Sequence, residues 1–328
     1  MKKEIVYGSI FAKELRDLVN YKRSLGCKYD TEERAFLRID QFLIKQNIQE
    51  KCLTKEIVEK WCTKTSWEST TNCNARISQM RVVCSYLNDL GYPVYVPPKF
   101  IPHHGRKYNA HIYTDDELHR FFAEVDKSIS LPFECPYRSL IMPVFFRILY
   151  TSGMRVSELR LLQVKDFDLD NGVIKVVNAK NHKERLIPVN PDLVEKCREI
   201  KEQIHQNSSE NEFFFMQYPG RAMTLQNLYH NFRRYLENAG ISHTGCGPRI
   251  HDFRHTYCVN LLRKWTSEGR DLLVWLPYMK TMLGHETFDE TAYYLKLTAV
   301  MYPDIRLKLQ INSSDMIEEV KPDESEFY

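Results

Sequence analysis

The stretch LGHETFDETAYYLKLT (283–298) combines a Leu-Gly turn, a histidine and two adjacent tyrosines. His285 follows the turn, and Tyr294 comes nine residues later on a helix that should begin near Asp289. Taken alone, a Tyr-Tyr pair in an amphipathic helix is typical of core packing. The alternative is that Tyr294 is a nucleophile held at a fixed distance from His285. Other parts of the chain decide between the two interpretations.

Two further stretches place charged side chains where they suit a phosphate. In YTSGMRVSEL (150–159), Gly153 allows a tight turn and Arg155 follows at or near the start of a helix. An arginine there adds its forked donors to the positive helix end, which favours an anion. In HDFRHTYC (251–258), His251 and Arg254 are three residues apart and share a helix face. A titratable imidazole beside a permanent cation suits a phosphate, or a proton transfer next to one.

The same HDFRHTYC stretch also permits a metal-site hypothesis. His251 and His255 are four residues apart, which is the spacing of a zinc-binding helix, and Asp252 stands where a metalloprotease has its Glu. Against this hypothesis, Asp replaces Glu, Arg254 brings a positive charge beside a dication, and the third ligand has to come from elsewhere. Each stretch considered alone also fits a surface arginine or a structural histidine.

The N-terminal third of the 328-residue chain predicts a helical domain. Gly and Pro are sparse, at 12 and 14 residues, and amphipathic patterns prevail. Helical periodicity is found at 10–24, 31–47, 54–64 and 70–90. A proline-containing stretch without periodicity follows. The predicted organisation is a helical domain at 1–100, a linker at 101–113, a second domain at 114–311, and an acidic, disordered tail at 312–328.

The second domain should mix helices with a small β-sheet. TDDE (114–117) has the pattern of a capping box that opens a helix. Two β-rich runs, 172–177 and 185–189, are joined by NAKNHKE (178–184), which predicts a hairpin with a basic loop. A further strand is predicted at 212–216. Helices are predicted at 224–239, 251–264, 271–283 and 289–297.

Charge is unevenly distributed along the chain. Residues 1–110 contain 19 Lys and Arg against 12 Asp and Glu, whereas residues 312–328 contain one Lys against six acidic residues. A basic N-terminal part suggests a polyanion partner, although solvated helix faces without any partner are an equal alternative.

No apolar run reaches the roughly 18 residues of a membrane span. The nine cysteines form no CxxC pair, so we expect reduced thiols in a cytoplasmic protein.

The three stretches occur together in an order that resembles the tyrosine recombinase (phage integrase) family. TSGMRVSELRLL resembles that family's first arginine box, HDFRHTY its His-x-x-Arg box, and LGHETFDETAYY its terminal box with the nucleophilic tyrosine. NAKNHKERLIPV resembles the family's β-hairpin with its lysine, and YYLKLTAVMYPDI is similar to integrases of bacterial mobile elements. The resemblance covers about residues 10–310.

The resemblance implies a fold and a set of partners. The fold would be mainly α with a small β-sheet: an N-terminal four-helix core-binding domain and an α+β catalytic domain, together forming a C-shaped clamp on double-stranded DNA. It also implies self-association into a tetramer on DNA, a nucleoid-associated location in a bacterium, and an accessory DNA-bending or directionality protein. It implies no cofactor, no metal and no membrane.

The expected chemistry is phosphoryl transfer, which needs positioning and charge stabilisation. Arg155 and Arg254 would clamp the non-bridging oxygens of the scissile phosphate. Tyr294 would attack the phosphorus with His251 as proton acceptor. The remaining roles are a hydrogen bond to the phosphate from His285, proton donation to the leaving oxygen by Lys180, and orientation of an arginine or histidine by Glu158.

Two of these assignments have a neighbouring alternative. Ala179 and Asn181 flank Lys180 where many family members have glycines, so Lys183 is the second candidate for the general acid. Tyr293 precedes Tyr294, but adjacent residues on a helix point about 100° apart, and the nine-residue spacing from His285 favours Tyr294.

The function predicted from the sequence is site-specific DNA recombination that integrates or excises a mobile element. A nicking-closing or hairpin-forming enzyme with the same tyrosine chemistry is one alternative. A DNA-binding regulator with a dead site is the other. The complete Arg-Lys-His-Arg-His-Tyr set argues against the regulator, because a dead site has no reason to retain all six residues.

Overall fold

The computed structural model describes residues 5–99, 110–132, 135–177, 184–245 and 247–302, with the backbone alone at Leu273 and 299–301. The chain divides into two compact units, Met1–Lys107 and Tyr108–Tyr328. Most of the predicted linker at 101–113 and all of the predicted acidic tail at 312–328 lie outside the described residues. No helix in the described parts of the chain is long and apolar enough to cross a membrane.

The first unit is helical. Its helices are α1 (Ala12–Ser24), α2 (Asp30–Lys45), α3 (Lys55–Cys62) and α4 (Thr70–Asp89). The helical periodicity of the sequence predicted all four, with bounds that differ by at most two residues. Phe36, Ile39 and Leu43 of α2 are buried, as their spacing of three and four residues requires when one face packs on a core.

The second unit consists mainly of helices. They are α5 (Asp115–Asp126), α6 (Arg138–Ser152), α7 (Val156–Arg160), α8 (Pro191–Ile204), α9 (Leu225–Asn238), α10 (Asp252–Ser267), α11 (Leu272–Leu283) and α12 (Phe288–Met301). The predicted capping box is present at the start of α5. Thr114 Oγ1 accepts from the backbone N–H of Glu117, and the Glu117 carboxylate accepts from that of Thr114.

In the described part of this unit, two small antiparallel sheets accompany the helices. The first contains β1 (Phe167–Asp168), β2 (Val173–Val176) and β3 (Arg185–Pro188) in that order. The β2–β3 pairing confirms the predicted hairpin, with Ile174 opposite Ile187. The second sheet pairs β4 (Met216–Tyr218) with β5 (Arg221–Ala222). The fold is therefore mainly helical with small sheets.

The predicted strand at 212–216 is wrong in its position. Only Met216 belongs to a strand. Phe213 before it forms an isolated β-bridge and no ladder. Phe214 and Phe215 are both fully buried in the core. Phe214 stacks on His205 and packs against Phe167.

Two helices were not predicted from the sequence. Helix α6 is buried on most of its faces and contains Pro143, so it lacks an amphipathic period. It lies at the centre of the unit and packs against α5, α8 and α10. Helix α8 did carry a start signal. Asn190 accepts a hydrogen bond from the backbone N–H of Asp192, and Pro191 occupies the first helical position.

Candidate active site

A left-handed glycine at the end of α6 positions Arg155. Helix α6 ends at Ser152, and Gly153 has a φ of 64°. Arg155 then occupies the N-cap position of α7 in extended conformation. A Cβ atom on Gly153 would lie 2.6 Å from Cδ1 of Tyr257, on α10. The turn therefore requires glycine both for its backbone conformation and for the close approach of α10.

This requirement predicts a measurable loss of stability. Gly153→Ala should destabilise the fold by more than the roughly 1–2 kcal/mol that a left-handed alanine costs, because the methyl group also collides with the Tyr257 ring. Gly269→Ala is the matched control, since Gly269 has a φ of 69° and a methyl group added there would meet nothing within 4 Å. The free energy of unfolding in urea measures both losses. Equal losses in the two variants would show that the Tyr257 contact has no energetic role.

The Glu158 carboxylate lies at the centre of a cluster of guanidinium groups. It accepts hydrogen bonds from the backbone N–H of Arg155 at 2.9 Å and from Arg155 Nη1 at 3.3 Å. Arg185 donates to both oxygens, at 3.0 and 2.6 Å. Burial alone raises the pKa of Glu158, but the hydrogen bonds from Arg185 and the charges of Arg185, Arg254 and Arg155 lower it below its usual value. Glu158 therefore stays ionised.

Arg185 is a site residue that the sequence analysis missed. It begins β3, and its side chain is 5% exposed. Its Nε donates to the backbone carbonyl of Met282 at 2.8 Å, so it joins Glu158 to the end of α11. A signal was present in the sequence, because Arg185 and Ile187 face the same side of a strand and Ile187 faces the core.

Arg254 holds together the two turns that precede Arg155 and His285. It lies on α10 and is 1% exposed. Its Nη1 donates to the carbonyl of Gly153 at 2.9 Å, and its Nη2 donates to the carbonyl of Leu283 at 2.9 Å. Each carbonyl lies two residues before a candidate phosphate ligand. The guanidinium therefore fixes the positions of Arg155 and His285 relative to its own.

His285 and Tyr294 lie side by side. Their rings stack with centroids 5.8 Å apart and planes only 4° from parallel. The Nδ1 atom of His285 is 2.8 Å from Oγ1 of Thr291, which orients the imidazole. Thr291 and Tyr294 are three residues apart on α12 and share its inner face, since both are buried. The spacing singled out in the sequence therefore brings the histidine and the tyrosine into contact.

The two tyrosines differ in their surroundings. Tyr294 is 3% exposed and belongs to a cluster of buried side chains, whereas Tyr293 is half-buried. Burial raises the pKa of Tyr293. A hydrogen bond with the backbone of Ala110 opposes this rise, and the charge of Asp252 adds to it. The two tyrosines therefore differ in exposure, and burial alone does not decide between them.

His255 contacts both the histidine and the tyrosine of the predicted chemistry. Its ring centroid lies 4.9 Å from that of His251, at the start of α10, and 5.5 Å from that of Tyr294. From the sequence, His255 was predicted only as a possible zinc ligand. Among the described residues, no group of three or more His, Cys, Asp or Glu side chains is placed to hold a metal ion. The metal hypothesis thus gains no third ligand there.

A comparison with known protein families identifies the family of the chain that carries this arrangement of side chains. The model of the family described as "Phage integrase family" matches residues 112–300. This range includes the arginines, histidines and tyrosines described above. The chain belongs to the phage integrase family. Members of this family are tyrosine recombinases, which are DNA strand-transferring enzymes.

Individual phage integrase relatives agree with this assignment. A protein assigned as an integrase or recombinase, y4rB of Sinorhizobium fredii (strain NBRC 101917 / NGR234), is 24% identical over 296 residues, covering 88% of this chain and 93% of that one. Tyrosine recombinase XerA of Thermococcus kodakarensis (strain ATCC BAA-918 / JCM 12380 / KOD1) is 31% identical over 154 residues, which cover 46% of this chain and 49% of XerA. The chain thus spans about half the length of that relative.

The fold of this phage integrase family member is similar to that of the Tn1549 transposon integrase in complex with a circular intermediate DNA. The two align with a TM-score of 0.57 and 17% identity, covering 85% of this chain and 94% of the other. At that identity the likeness concerns the fold alone.

The predicted general acid is the one site residue without a described position. Lys180 and its alternative Lys183 lie in the hairpin loop, outside the described residues. The strands on either side of the loop are described, and Arg185 directly follows the loop, two residues after Lys183.

Proposed function

We propose that this protein is a site-specific DNA recombinase that cuts and rejoins DNA through a covalent 3′-phosphotyrosyl intermediate. The observation that carries the proposal is the pair of hydrogen bonds from Arg254 to the carbonyls of Gly153 and Leu283. These bonds bring Arg155, Arg254 and His285 to one place, and Tyr294 stacks on that histidine. Two cations, an imidazole and a phenol at one place are the groups that phosphodiester cleavage by a tyrosine requires.

The two arginines supply charge stabilisation. Arg155 and Arg254 remain protonated at any working pH, and a guanidinium can donate two parallel hydrogen bonds to phosphate oxygens. The transition state of phosphoryl transfer concentrates negative charge on the non-bridging oxygens. Preorganised donors in a water-poor site are the strongest means of stabilising such charge. Both arginines lie in such a water-poor environment, since the Arg155 side chain is 14% exposed and Arg254 is 1% exposed, and Arg254 therefore has to be uncovered before it contacts a phosphate.

The strand is cleaved by exchange of one phosphodiester bond for another. The Tyr294 oxygen forms a bond to phosphorus, and the bond from phosphorus to the 5′ oxygen breaks. The phenolic proton passes to His251, and His285 donates a hydrogen bond to the phosphate. Lys180 donates a proton to the departing 5′ oxygen, which leaves as a hydroxyl. Rejoining reverses these steps without ATP, because the new bond is also a phosphodiester.

The buried position of Tyr294 places a requirement on the reaction. A side chain that is 3% exposed cannot be reached by a duplex without some displacement of its neighbours. Its covering residues, which include His285 and residues of α11, therefore have to move when DNA binds. A conformational step before cleavage is a common feature of enzymes that close on large substrates.

The finer proposal is that the reaction moves a mobile element. Strand exchange joins two duplexes, so four subunits on DNA are expected, with both structural units contacting the duplex as a clamp. The names of the relatives support this proposal, since y4rB is assigned as an integrase or recombinase and the Tn1549 integrase was observed with a circular intermediate of a transposon. The excess of Lys and Arg in residues 1–110 supports binding to DNA phosphates.

One experiment tests the proposal and separates it from its alternatives. The protein is incubated in excess EDTA with random genomic DNA, and the covalent junctions are mapped after denaturation. A duplex carrying two copies of the mapped site is then tested for recombinant products. Adducts at one sequence, on 3′ phosphates, with recombinant products are the expected result.

Each other outcome identifies a different function. Adducts that reseal without exchange of partners would indicate a nicking-closing or hairpin-forming enzyme. Binding without any adduct would indicate a regulator. Activity that is lost in EDTA and restored by zinc would revive the metal hypothesis for His251 and His255.

A further inference from the structure

We propose, on the basis of the recombinase function above, that Arg185 is a positioning residue for Arg155. Arg185 holds the Glu158 carboxylate, and this keeps Glu158 from drawing the Arg155 guanidinium away from the scissile phosphate. Arg155 and Arg185 thus compete for one buried carboxylate.

The contacts of Glu158 are unequal. Arg185 donates one hydrogen bond to each carboxylate oxygen, at 3.0 and 2.6 Å, in the bidentate arrangement that makes the strongest arginine–carboxylate pairs. The Arg155 guanidinium makes one contact with the same carboxylate, through Nη1 at 3.3 Å. The backbone N–H of Arg155 makes another, at 2.9 Å. Glu158 therefore fixes the backbone of Arg155 firmly and its side chain only weakly.

Arg185 is held from its other side as well. Its Nε donates to the carbonyl of Met282. Gly284 leaves room for the guanidinium, because a Cβ atom there would lie 2.9 Å from Arg185 Nη1. The Arg185 side chain is 5% exposed, compared with 14% for Arg155. Arg185 is thus held by Glu158 on one side and by the backbone of Met282 on the other. Arg155 is the more accessible of the two arginines to a ligand.

Removal of Arg185 would leave the Glu158 carboxylate beside Arg155, whose Nη1 already contacts it. Burial raises the pKa of Glu158, and the charges of Arg254 and Arg155, which remain when Arg185 is removed, oppose that rise. A buried charge that loses its partner attracts the nearest remaining cation. Arg155 already contacts Oε1 and lies only three residues away, so it is placed to take over the bidentate position. Its donors would then face Glu158 instead of the phosphate.

The test is a mutant cycle between Arg185 and Glu158, read as the single-turnover rate of covalent adduct formation. Arg185→Leu should slow this rate about 10²-fold, comparable with the loss of one charge-stabilising donor. Glu158→Gln in the same chain removes the charge that captures Arg155. The double variant should therefore react about tenfold faster than Arg185→Leu, since residues in one ion-pair network are coupled. A double variant that reacts no faster than Arg185→Leu would overturn the proposal.

A modified substrate supplies a readout that a purely structural role does not affect. A methylphosphonate at the scissile position carries no negative charge, so it does not need Arg155 to neutralise a non-bridging oxygen. Arg185→Leu and Arg155→Ala should both react at nearly the wild-type rate on this substrate while remaining slow on the ordinary phosphodiester. Arg185→Leu that is equally slow on both substrates would show that Arg185 acts on the site by another route.

Controls keep the outcomes distinct. Arg138→Leu removes another buried arginine of the same unit and should retain the wild-type rate on both substrates. If Arg185→Leu does not fold, Arg185→Lys is compared with Arg185→Lys/Glu158→Gln, for which the same rescue is expected. Absence of any adduct with the wild-type protein would refute the proposed function itself. A wild-type adduct without rescue in either double variant would refute only the role of Arg185.

Discussion

Tyr294→Phe binds duplex DNA as tightly as the wild-type protein but never becomes covalently attached to it: this is the expected result with the largest effect. The substitution removes only the hydroxyl, so the stack on His285 and the packing in the buried cluster are retained. Without the phenolic oxygen no bond to phosphorus can form. The measurement is the protein–DNA adduct that survives denaturation, together with the affinity for DNA at a stated salt concentration.

Tyr293→Phe is the matched control for this experiment. It removes the hydroxyl of the adjacent residue. Tyr293 also contacts His255, and burial raises the pKa of its phenol. Attachment should persist in this variant. An adduct formed by Tyr294→Phe but not by Tyr293→Phe would show that the nucleophile is Tyr293 and not Tyr294. Loss of attachment in both variants would indicate that the pair acts together.

The second large effect concerns Lys180 and tests its role as a proton donor. The 5′ oxygen is a poor leaving group unless it is protonated, so Lys180→Ala should slow cleavage about 10²–10⁴-fold. A 5′-bridging sulfur leaves readily as a thiolate, because thiols have pKa values of about 8.5. Lys180→Ala should therefore cleave the sulfur-containing substrate almost as fast as the wild-type protein. The cleavage rates of Lys180→Ala and of the wild-type protein, each on the ordinary and on the sulfur-containing substrate, test whether Lys180 is the proton donor.

Arg155→Ala is the contrasting variant. It should remain slow on both substrates, because the charge of Arg155 acts on the non-bridging oxygens whatever the leaving group is. Sulfur rescue of Lys183→Ala in place of Lys180→Ala would move the general acid three residues along the hairpin. Rescue of neither lysine variant would mean that the hairpin only positions DNA and that the proton comes from another donor.

The sequence by itself determined the features that depend on local pattern. Amphipathic periods predicted α1–α4, and β-rich runs on either side of a basic loop predicted the β2–β3 hairpin. The order and spacing of three short stretches also indicated the family, and the family match confirmed it. These features were accessible because periodicity, capping and motif spacing are properties of consecutive residues.

Elements without a local pattern were missed or misplaced. Helix α6 is buried on most of its faces, so its apolar residues show no period from which a helix can be recognised. The aromatic run before β4 has the composition of a strand but packs as core. In both cases the tertiary environment overrides the local preference, because burial on several sides rewards apolar residues in any secondary structure.

Only the tertiary structure decided how the site is held together. Arg254 lies 101 residues from Gly153, and Arg185 lies 97 residues from Met282, yet these pairs form direct hydrogen bonds. His255 contacts Tyr294 from another helix. Nothing in a local pattern states which buried carbonyl or carboxylate a guanidinium will reach. That choice follows from the packing of α10, α11 and β3, because a buried charge has to find its partners among whatever polar groups the fold brings beside it.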